Sequence, residues 1–389
     1  MKKSILLCFA LCFLCSLFAG EPESVQNVNV YLYNFEPFSF RWTNKFKKVD
    51  RVLSFRPSVE TELKNFPERI FTLSLSLFDS DGNTVFSKTQ EVERVEEDKK
   101  NFVIVVFYLE DVIPFPTRAA VEVVWEKGRI KKEIPLEFVR IHGKSTNFDG
   151  TPRKDFILVK DCGFEDVYVG QCREDGRYEM ILPKRTYNAF IIDDETYDYQ
   201  TLENWIWNFT AYKNMELNFQ VGSLEVYNLH AWPNNGGAST MFFSFRPMSL
   251  YRGNSMDKNK DYEVSDEEKE KGRYAITEDD FKDNPYTGLA PVLDMNEVRV
   301  FFDEKELEVI SVQPYLEYIP SKKGEERYIT AYIVQALRGK NRVTPGRHYV
   351  RVVIQDELEY EGKTILEKGE ASYHWLQEGS IHNVARYRY

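Results

Sequence analysis

Aromatic and amide side chains are concentrated between residues 205 and 232 of the chain. Trp205, Trp207, Phe209, Tyr212, Tyr227 and Trp232 all lie within these 28 residues. Sugar rings stack on aromatic faces and hydrogen-bond to neighbouring amides, so the stretch is typical of a glycan-binding surface. We predict a ligand-binding site formed by Trp205, Trp207, Tyr227, Trp232 and Asn234. Large rings that fill the core of a small domain are the alternative.

Oxygen-bearing side chains recur along residues 257–268. The spacing resembles that of an EF-hand calcium loop, in which positions one, three, five, nine and twelve would be Asp257, Asn259, Asp261, Ser265 and Glu268. Calcium takes six to eight oxygen ligands, and a short loop with this spacing can wrap around the ion. Calcium is therefore the candidate cofactor. Tyr262 stands where the motif has a glycine for its sharp turn, so a solvated run of charges is the alternative.

Two of the five cysteines, Cys162 and Cys172, lie outside the first twenty residues. They could close a short disulfide loop, which would stabilise the fold by roughly 2–3 kcal/mol by restricting the unfolded chain. Two reduced thiols on neighbouring strands are the alternative. A catalytic thiol is not expected, because no histidine lies near either cysteine in the sequence.

The sequence lacks the motifs of common enzymes. It has no His-x-x-Glu or His-Glu-x-x-His metal motif, no Gly-x-Ser-x-Gly elbow, and no phosphate loop or dinucleotide-binding fingerprint. We therefore predict no catalytic residues and no enzymatic activity. The alternative is a secreted carboxylate-dependent glycoside hydrolase, or an accessory module of one, because the 62 Asp and Glu residues could supply a catalytic pair.

Composition narrows the classes of function further. Hydrophobic residues make up 42% of the chain, which is enough to build real cores and excludes wholesale disorder. The formal net charge of −11 argues against binding to a phosphate backbone, so nucleic acid is not an expected partner.

The first twenty residues are typical of a secretory signal peptide. Lys2 and Lys3 form a basic start, residues 5–18 are almost entirely apolar, and the small residues Ala19 and Gly20 precede a polar stretch. The apolar run is too short to span a membrane, and no later stretch reaches spanning length. We predict a secreted, periplasmic or cell-surface protein with no membrane span after signal cleavage.

The elements that must position these residues are strands, because apolar residues recur with a period of two. Phe71, Leu73, Leu75 and Leu77 alternate with small polar residues, which indicates a strand with one buried face. Residues 102–109 are apolar throughout and indicate a strand buried on both faces. Lys127-Gly128 predicts a hairpin turn. Residues 21–142 therefore form a predicted immunoglobulin-like β-sandwich.

A second predicted domain spans residues 143–250. It contains an early Gly143, an Asp149-Gly150-Thr151-Pro152 turn, an Asp175-Gly176-Arg177-Tyr178 turn, and a Leu182-Pro183 element followed by Tyr187. Over about residues 143–187 this order resembles the carboxypeptidase regulatory-like (transthyretin-like) domain, a Greek-key sandwich, which implies a non-catalytic module. Independently of the family, Asp-Gly permits the positive φ of a tight turn, and Tyr178 and Tyr187 are placed to fill a core.

Residues 251–290 are rich in charge and predict an acidic connector with one short helix. Residues 291–389 return to strands, at Val298–Phe302, Tyr328–Gln335 and His348–Ile354, and predict a second immunoglobulin-like sandwich. The predicted fold class is thus all-β, with three sandwich domains in tandem after a signal peptide. We predict a non-catalytic protein that binds an extracellular glycan, or an envelope protein, or acts as a scaffold at the cell envelope.

Overall fold

The computed structural model describes residues 28–33, 58–64, 68–93, 102–108, 116–193, 197, 200–234, 239–259, 289–318, 328–338 and 343–377. Over these ranges the secondary structure consists of 24 strands and one helix, which confirms the predicted all-β fold class. No helix within the same ranges is long and apolar enough to cross a membrane. The predicted signal peptide, residues 1–20, lies outside them.

The described chain divides into two compact units, one of residues up to Glu137 and one from Phe138 onward. The strands of the first unit are β1 (Val28–Tyr33), β2 (Ser58–Lys64), β3 (Ile70–Phe78), β4 (Thr84–Glu93), β5 (Phe102–Tyr108), β6 (Arg118–Trp125) and β7 (Gly128–Pro135). They form an antiparallel sheet in the order β4-β3-β6-β7 and a second in the order β1-β2-β5.

One core holds the two sheets of this unit together. Phe71, Leu73, Leu75 and Leu77 of β3 are buried, as the alternation predicts, and they pack with buried residues of β2, β5 and β6. The two sheets pack as a β-sandwich, and the predicted hairpin at Lys127-Gly128 is confirmed. The predicted immunoglobulin-like domain of residues 21–142 stays a prediction. The prediction that β5 is buried on both faces is wrong, because Ile104 is 49% exposed. Val106, on the same face of the strand, is half-buried.

The second unit begins with six strands, of which the first five overlap the residues of the regulatory-like resemblance. They are β8 (Phe138–Asn147), β9 (Phe156–Lys160), β10 (Asp166–Gln171), β11 (Arg177–Pro183), β12 (Arg185–Thr186) and β13 (Ala189–Asp193). Gly176 has a φ of 78°, and Tyr178 and Tyr187 are buried, so the predicted tight turn and inward rings are confirmed.

The later elements of this unit complete two larger sheets. They are β14 (Asn204–Trp207), β15 (Thr210–Ala211), β16 (Met215–Glu216), β17 (Phe219–Val221), β18 (Leu224–Pro233), β19 (Thr240–Ser249), α1 (Leu250–Asn259), β20 (Val298–Phe302), β21 (Lys305–Tyr318), β22 (Tyr328–Leu337), β23 (Gly346–Tyr360) and β24 (Lys363–Gln377). The three strands predicted after residue 291 coincide with β20, β22 and β23 or with parts of them.

Eleven of these strands form one sheet, in the order β10-β9-β13-β14-β24-β23-β20-β21-β22-β19-β18. A parallel pairing of β14 with β24 joins strands from before and after residues 251–290 in one hydrogen-bonded layer. The second sheet has the order β11-β8-β16, with β17 also pairing with β8, while β12 and β15 pair with each other. The predicted boundaries of the second and third domains stay predictions.

The long sheet curls so that β18 packs against β24 and β14. Two glycines permit the approach: a Cβ on Gly369 would lie 2.0 Å from the Leu224 carbonyl oxygen, and one on Gly222 would lie 2.0 Å from that of Lys368. Real side chains do not fit at such distances, so the backbones meet directly here. This close approach brings the side chains of β14, β18 and β24 together.

Helix α1 begins directly after β19. Ser249 caps it, because its Oγ accepts a hydrogen bond from the Arg252 backbone N–H at 3.1 Å, and the Ser249 hydroxyl also donates to the buried Glu367 of β24. Arg252 reaches Asp356 of β23 at 2.5 Å. The short helix predicted after residue 250 is therefore present and docked on the β23–β24 ribbon.

Candidate functional site

The aromatic stretch identified in the sequence forms a ring cluster where β18 crosses β14. Trp205 and Trp207 alternate along β14, and their rings stack with centroids 4.5 Å apart and planes 5° apart. Tyr227 of β18 meets both rings edge-on at 5.1 Å. These geometries are the favourable ones for aromatic pairs, so the cluster is a rigid wall.

A concavity of about 340 Å³ opens on one side of this wall. We call it the aromatic pocket, and its lining residues are Phe164, Asn188, Trp207, Asn208, Tyr227, Asn228, His230, Arg246 and Tyr373. They come from the β9–β10 turn, the segment before β13, the end of β14, and strands β18, β19 and β24. Its volume lies in the range of small-molecule sites, and aromatic walls with a few polar groups are their usual lining.

Three of the lining residues have a positive φ, a backbone conformation that residues other than glycine rarely adopt. The φ angles of Phe164, Asn208 and Asn228 are 66°, 51° and 55°. Asparagine tolerates this region, but a phenylalanine in it is an outlier. Asn228 lies where the β18–β19 register shifts, and such bulges re-aim side chains beside functional sites. Strained residues cluster at binding sites because the surrounding structure must hold them there.

Hydrogen bonds and a cation hold the rim in place. The Asn208 amide donates to the His374 carbonyl oxygen at 2.7 Å. The Lys160 ammonium lies 4.9 Å from the Phe164 ring centroid and forms an ion pair with Asp166 at 2.8 Å. Among the described residues, the side-chain amides of Asn188 and Asn228 have no hydrogen-bond partner. Those two amides are therefore free to bind a ligand.

The charge in the pocket comes from Arg246. Its guanidinium lies 4.7 Å from the Tyr227 ring centroid and forms an ion pair with Glu317 at 3.3 Å. Partial burial, and to a lesser degree Arg246, lower the pKa of His230, so this imidazole is neutral at neutral pH. None of the described residues that line the pocket is a carboxylate. Hydrolysis of a glycoside by a carboxylate pair therefore has no supporting groups in this pocket.

Carboxyl groups lie behind the ring wall instead. The Trp205 indole N–H donates to the buried Glu225 at 2.9 Å. Burial raises the pKa of Glu225, and the nearby Asp193 raises it further. Burial and Glu225 likewise raise the pKa of Glu203. Of these acids, Glu225 anchors the wall through its hydrogen bond with Trp205.

The structure brings together only part of the predicted ligand-binding set. Trp207 and Tyr227 line the aromatic pocket, while the buried Trp205 supports it from behind. Trp232 is 39% exposed, stacks on Phe242 at 5.7 Å and does not line the pocket. Asn234 does not line it either, and its amide donates to Thr240 at 3.3 Å. The far end of β18 carries these two residues away from the pocket, and any ligand role for them stays a prediction.

Sequence reasoning did not identify several lining residues. Phe164, Arg246 and Tyr373 stand far from the aromatic stretch in the chain, and only the sheet order brings them together. Asn208 and Asn228 are among the amides beside aromatic residues that the sequence indicates as hydrogen-bonding groups for a sugar.

The calcium-loop residues are only partly described. Asp257 and Asn259 lie in the last turn of α1, whereas Asp261, Ser265 and Glu268 lie outside the described residues. Within the described ranges, no group of three or more His, Cys, Asp or Glu side chains is placed to hold a metal ion. Calcium binding stays a prediction.

The two cysteines are free thiols, so the predicted disulfide between Cys162 and Cys172 is corrected. Cys162 is exposed in the β9–β10 turn, and Cys172 is buried just beyond the other end of β10. The six residues of β10 separate them by about 20 Å, whereas disulfides need Cα atoms within about 7 Å. Burial raises the pKa of Cys172 to about 12, so this thiol is unreactive.

No family model matches the chain, and no curated protein matches it. Among solved structures, it is similar to a DUF3823 family protein from Parabacteroides merdae, with 11% identity and a TM-score of 0.19 over 61% of this chain and 98% of the other. It is also similar to the pilus 2b backbone protein of group B streptococcus, with 9% identity and a TM-score of 0.18 over 42% of this chain and 92% of the other. At these TM-scores the similarity carries no argument about function.

Proposed function

We propose that this chain is a non-catalytic β-sandwich protein that acts outside the cytoplasm and binds a sugar ring in the aromatic pocket. The observation that carries the proposal is the composition of the pocket. The Trp207, Tyr227 and Tyr373 rings and the unpartnered amides of Asn188 and Asn228 face one cavity of about 340 Å³.

A sugar ring matches these groups better than other small ligands do. Its apolar faces pack against aromatic rings, and its hydroxyls accept and donate hydrogen bonds that side-chain amides can satisfy. Arg246 adds a donor that cannot lose its proton. Preorganisation supports the same proposal, because strained positions at Phe164, Asn208 and Asn228 fix the rim before a ligand arrives.

The proposed location depends on the sequence. Residues 1–20 have the charge and apolar pattern of an export signal, so an extracellular or envelope glycan is the proposed partner, with an envelope protein as the second. The resemblance of residues 143–187 to the carboxypeptidase regulatory-like domain also remains a proposal. It is supported by the positive φ of Gly176 and by the buried rings of Tyr178 and Tyr187.

A glycan array probed with residues 21–389 tests the proposal. Asn228→Gly is the informative variant, because glycine accepts the φ of 55° while the amide is lost. Trp232→Ala is the control, since it removes an exposed ring on the same strand outside the pocket. We expect the variant to lose about tenfold in affinity for the bound glycan, as the loss of a hydrogen bond predicts, and the control to retain it. A blank array, or loss in the control alone, would show that the proposal is wrong.

A further inference from the structure

The second unit contains another, larger cavity of about 1560 Å³. It lies between the outer face of β8 and β11, the segment around β16, and the start of β23. We call it the basic cleft, and its cationic lining residues are Arg140, Lys144, Arg173, Arg177, Lys213, Arg347 and Arg351. Only five carboxylates share this lining, although the chain as a whole carries a net charge of −11. The lining of the cleft therefore carries a net positive charge, opposite in sign to the net charge of the whole chain.

Three of those five carboxylates form ion pairs with two arginines of the cleft. Glu179 pairs with Arg140 at 2.6 Å, and Glu370 and Glu304 share Arg351 at 3.2 and 3.4 Å. Among the described residues, four cations of the cleft form no ion pair: Lys144, Arg173, Lys213 and Arg347. Of these four, Arg173 interacts at longer range with Glu179.

The strand register concentrates this charge. Lys144 of β8 stands directly opposite Arg177 of β11, and Arg140 lies on the same face of β8 as Lys144. Like charges directly opposite each other across two strands are destabilising. The exposed ion pair of Arg177 with Asp175 at 3.7 Å offsets part of that repulsion. An anion bound between Lys144 and Arg177 would remove the rest, so the arrangement points to a ligand.

On the wall of the basic cleft formed by β23 and the segment around β16, an aromatic ring orients one of the cations. The Arg347 guanidinium lies 3.5 Å from the Tyr212 ring centroid, which fixes its plane. A stacked guanidinium can present its N–H edge to a carboxylate or sulfate in bidentate geometry. Burial chiefly, and then Arg347 and Lys213, lower the pKa of the neighbouring His374 to about 4. The two cations thus also act on a buried group of the protein itself.

We propose that the basic cleft binds an acidic polysaccharide through its carboxylate or sulfate groups. A polymer is favoured because the cleft exceeds the range of roughly 300–1,000 Å³ typical of small-ligand pockets. A polysaccharide is favoured over a nucleic acid because residues 1–20 have the pattern of an export signal; the acidic balance of the chain repels either polyanion and does not distinguish them. The site shares none of its lining residues with the aromatic pocket, so it does not depend on the function proposed above.

Binding of residues 21–389 to immobilised polygalacturonate, dextran sulfate, neutral dextran and single-stranded DNA tests this assignment. The first two probes distinguish carboxylate from sulfate. We expect one or both to bind, with affinity falling at least tenfold between 50 and 200 mM NaCl, and neutral dextran not to bind. Absence of binding to both acidic polysaccharides, or equal affinity for DNA, would overturn the assignment.

A double variant locates the site. Lys213→Gln with Arg347→Gln removes two unpaired cations of the cleft, and we expect it to weaken binding at least tenfold. Lys131→Gln with Lys132→Gln is the matched control, because it makes the same change in net charge on exposed residues of β7. Equal loss in both double variants would show that net charge alone attracts the polymer and would overturn the proposal. Asn228→Gly should leave this binding unchanged, which separates the two sites.

Discussion

The indole rings of Trp205 and Trp207 stack 4.5 Å apart, yet only Trp207 lines the aromatic pocket. Trp205 lies behind it, with its N–H bonded to Glu225 at 2.9 Å. Lining of the pocket and support from behind are therefore divided between two residues of one strand face. The wall of the aromatic pocket is rigid because its second layer is itself anchored by a buried hydrogen bond.

Trp205→Phe should destabilise the second unit. It keeps an aromatic ring against Trp207 but leaves the buried Glu225 without its donor, which we expect to lower the free energy of unfolding by about 1–3 kcal/mol. Trp232→Phe is the control, because that ring is exposed, and we expect a change within about 0.5 kcal/mol. Urea denaturation followed by circular dichroism measures both. Equal effects in the two variants would contradict the anchoring role of Trp205.

Glu367→Gln should change how stability depends on pH. Burial raises the pKa of Glu367 to about 7 from its ordinary 4.5. Between these two pH values the Glu367 carboxyl therefore holds its proton more tightly in the folded state than in the unfolded state. Wild-type stability therefore falls as the pH rises from about 4.5 to about 7, and the loss persists above pH 7. We expect the variant, which never ionises, to gain on the order of 3 kcal/mol relative to wild type across this window.

Denaturant unfolding at pH 4.5, 6 and 8 measures that gain. Glu357→Gln, on the exposed face of β23, is the control and should show no such trend. A stability difference between the Glu367 variant and wild type that stays level from pH 4.5 to 8 would refute the prediction.

Gly369→Ala should destabilise the crossing of β18 over β24. The added Cβ would lie 2.0 Å from the Leu224 carbonyl oxygen, so one backbone must move, and we expect a loss of about 3 kcal/mol or more. Gly163→Ala is the matched control, since the nearest atom to its added Cβ, Asp161 Oδ1, is 3.3 Å away and belongs to a side chain and not to the backbone. Thermal unfolding compares them, and a small effect at position 369 would mean that the two strands do not approach this closely.

The two cysteines should react at very different rates with a thiol-alkylating reagent. Cys162 is exposed, whereas Cys172 is buried with a pKa of about 12, so we expect one modification in the native protein and two after unfolding. Intact mass spectrometry counts them. Cys172→Ser provides the control, because it should leave the fast reaction unchanged. If the native protein had no reactive thiol and gained two after reduction, the predicted disulfide between Cys162 and Cys172 would be supported instead.

Local patterns in the sequence were sufficient to predict many of the strands. The alternation along β3 and the strands β20, β22 and β23 follow from a period of two, and the Gly176 turn follows from its Asp-Gly pair. These features depend on neighbouring residues, because a strand face and a tight turn are each set over a few positions. The adjacent stacking of Trp205 and Trp207 on one face follows from the same rule.

The pocket and the cleft depended on contacts that local patterns do not encode. Phe164, Tyr227 and Tyr373 meet because β24 pairs in parallel with β14 while β18 folds back over both. Lys144 and Arg177 become neighbours only through the register of β8 with β11. Periodicity states which face of a strand is buried, whereas the partner of that strand is chosen by packing over the whole unit. The sequence by itself therefore determined the kind of element and its buried face, and the tertiary structure decided which side chains share a site.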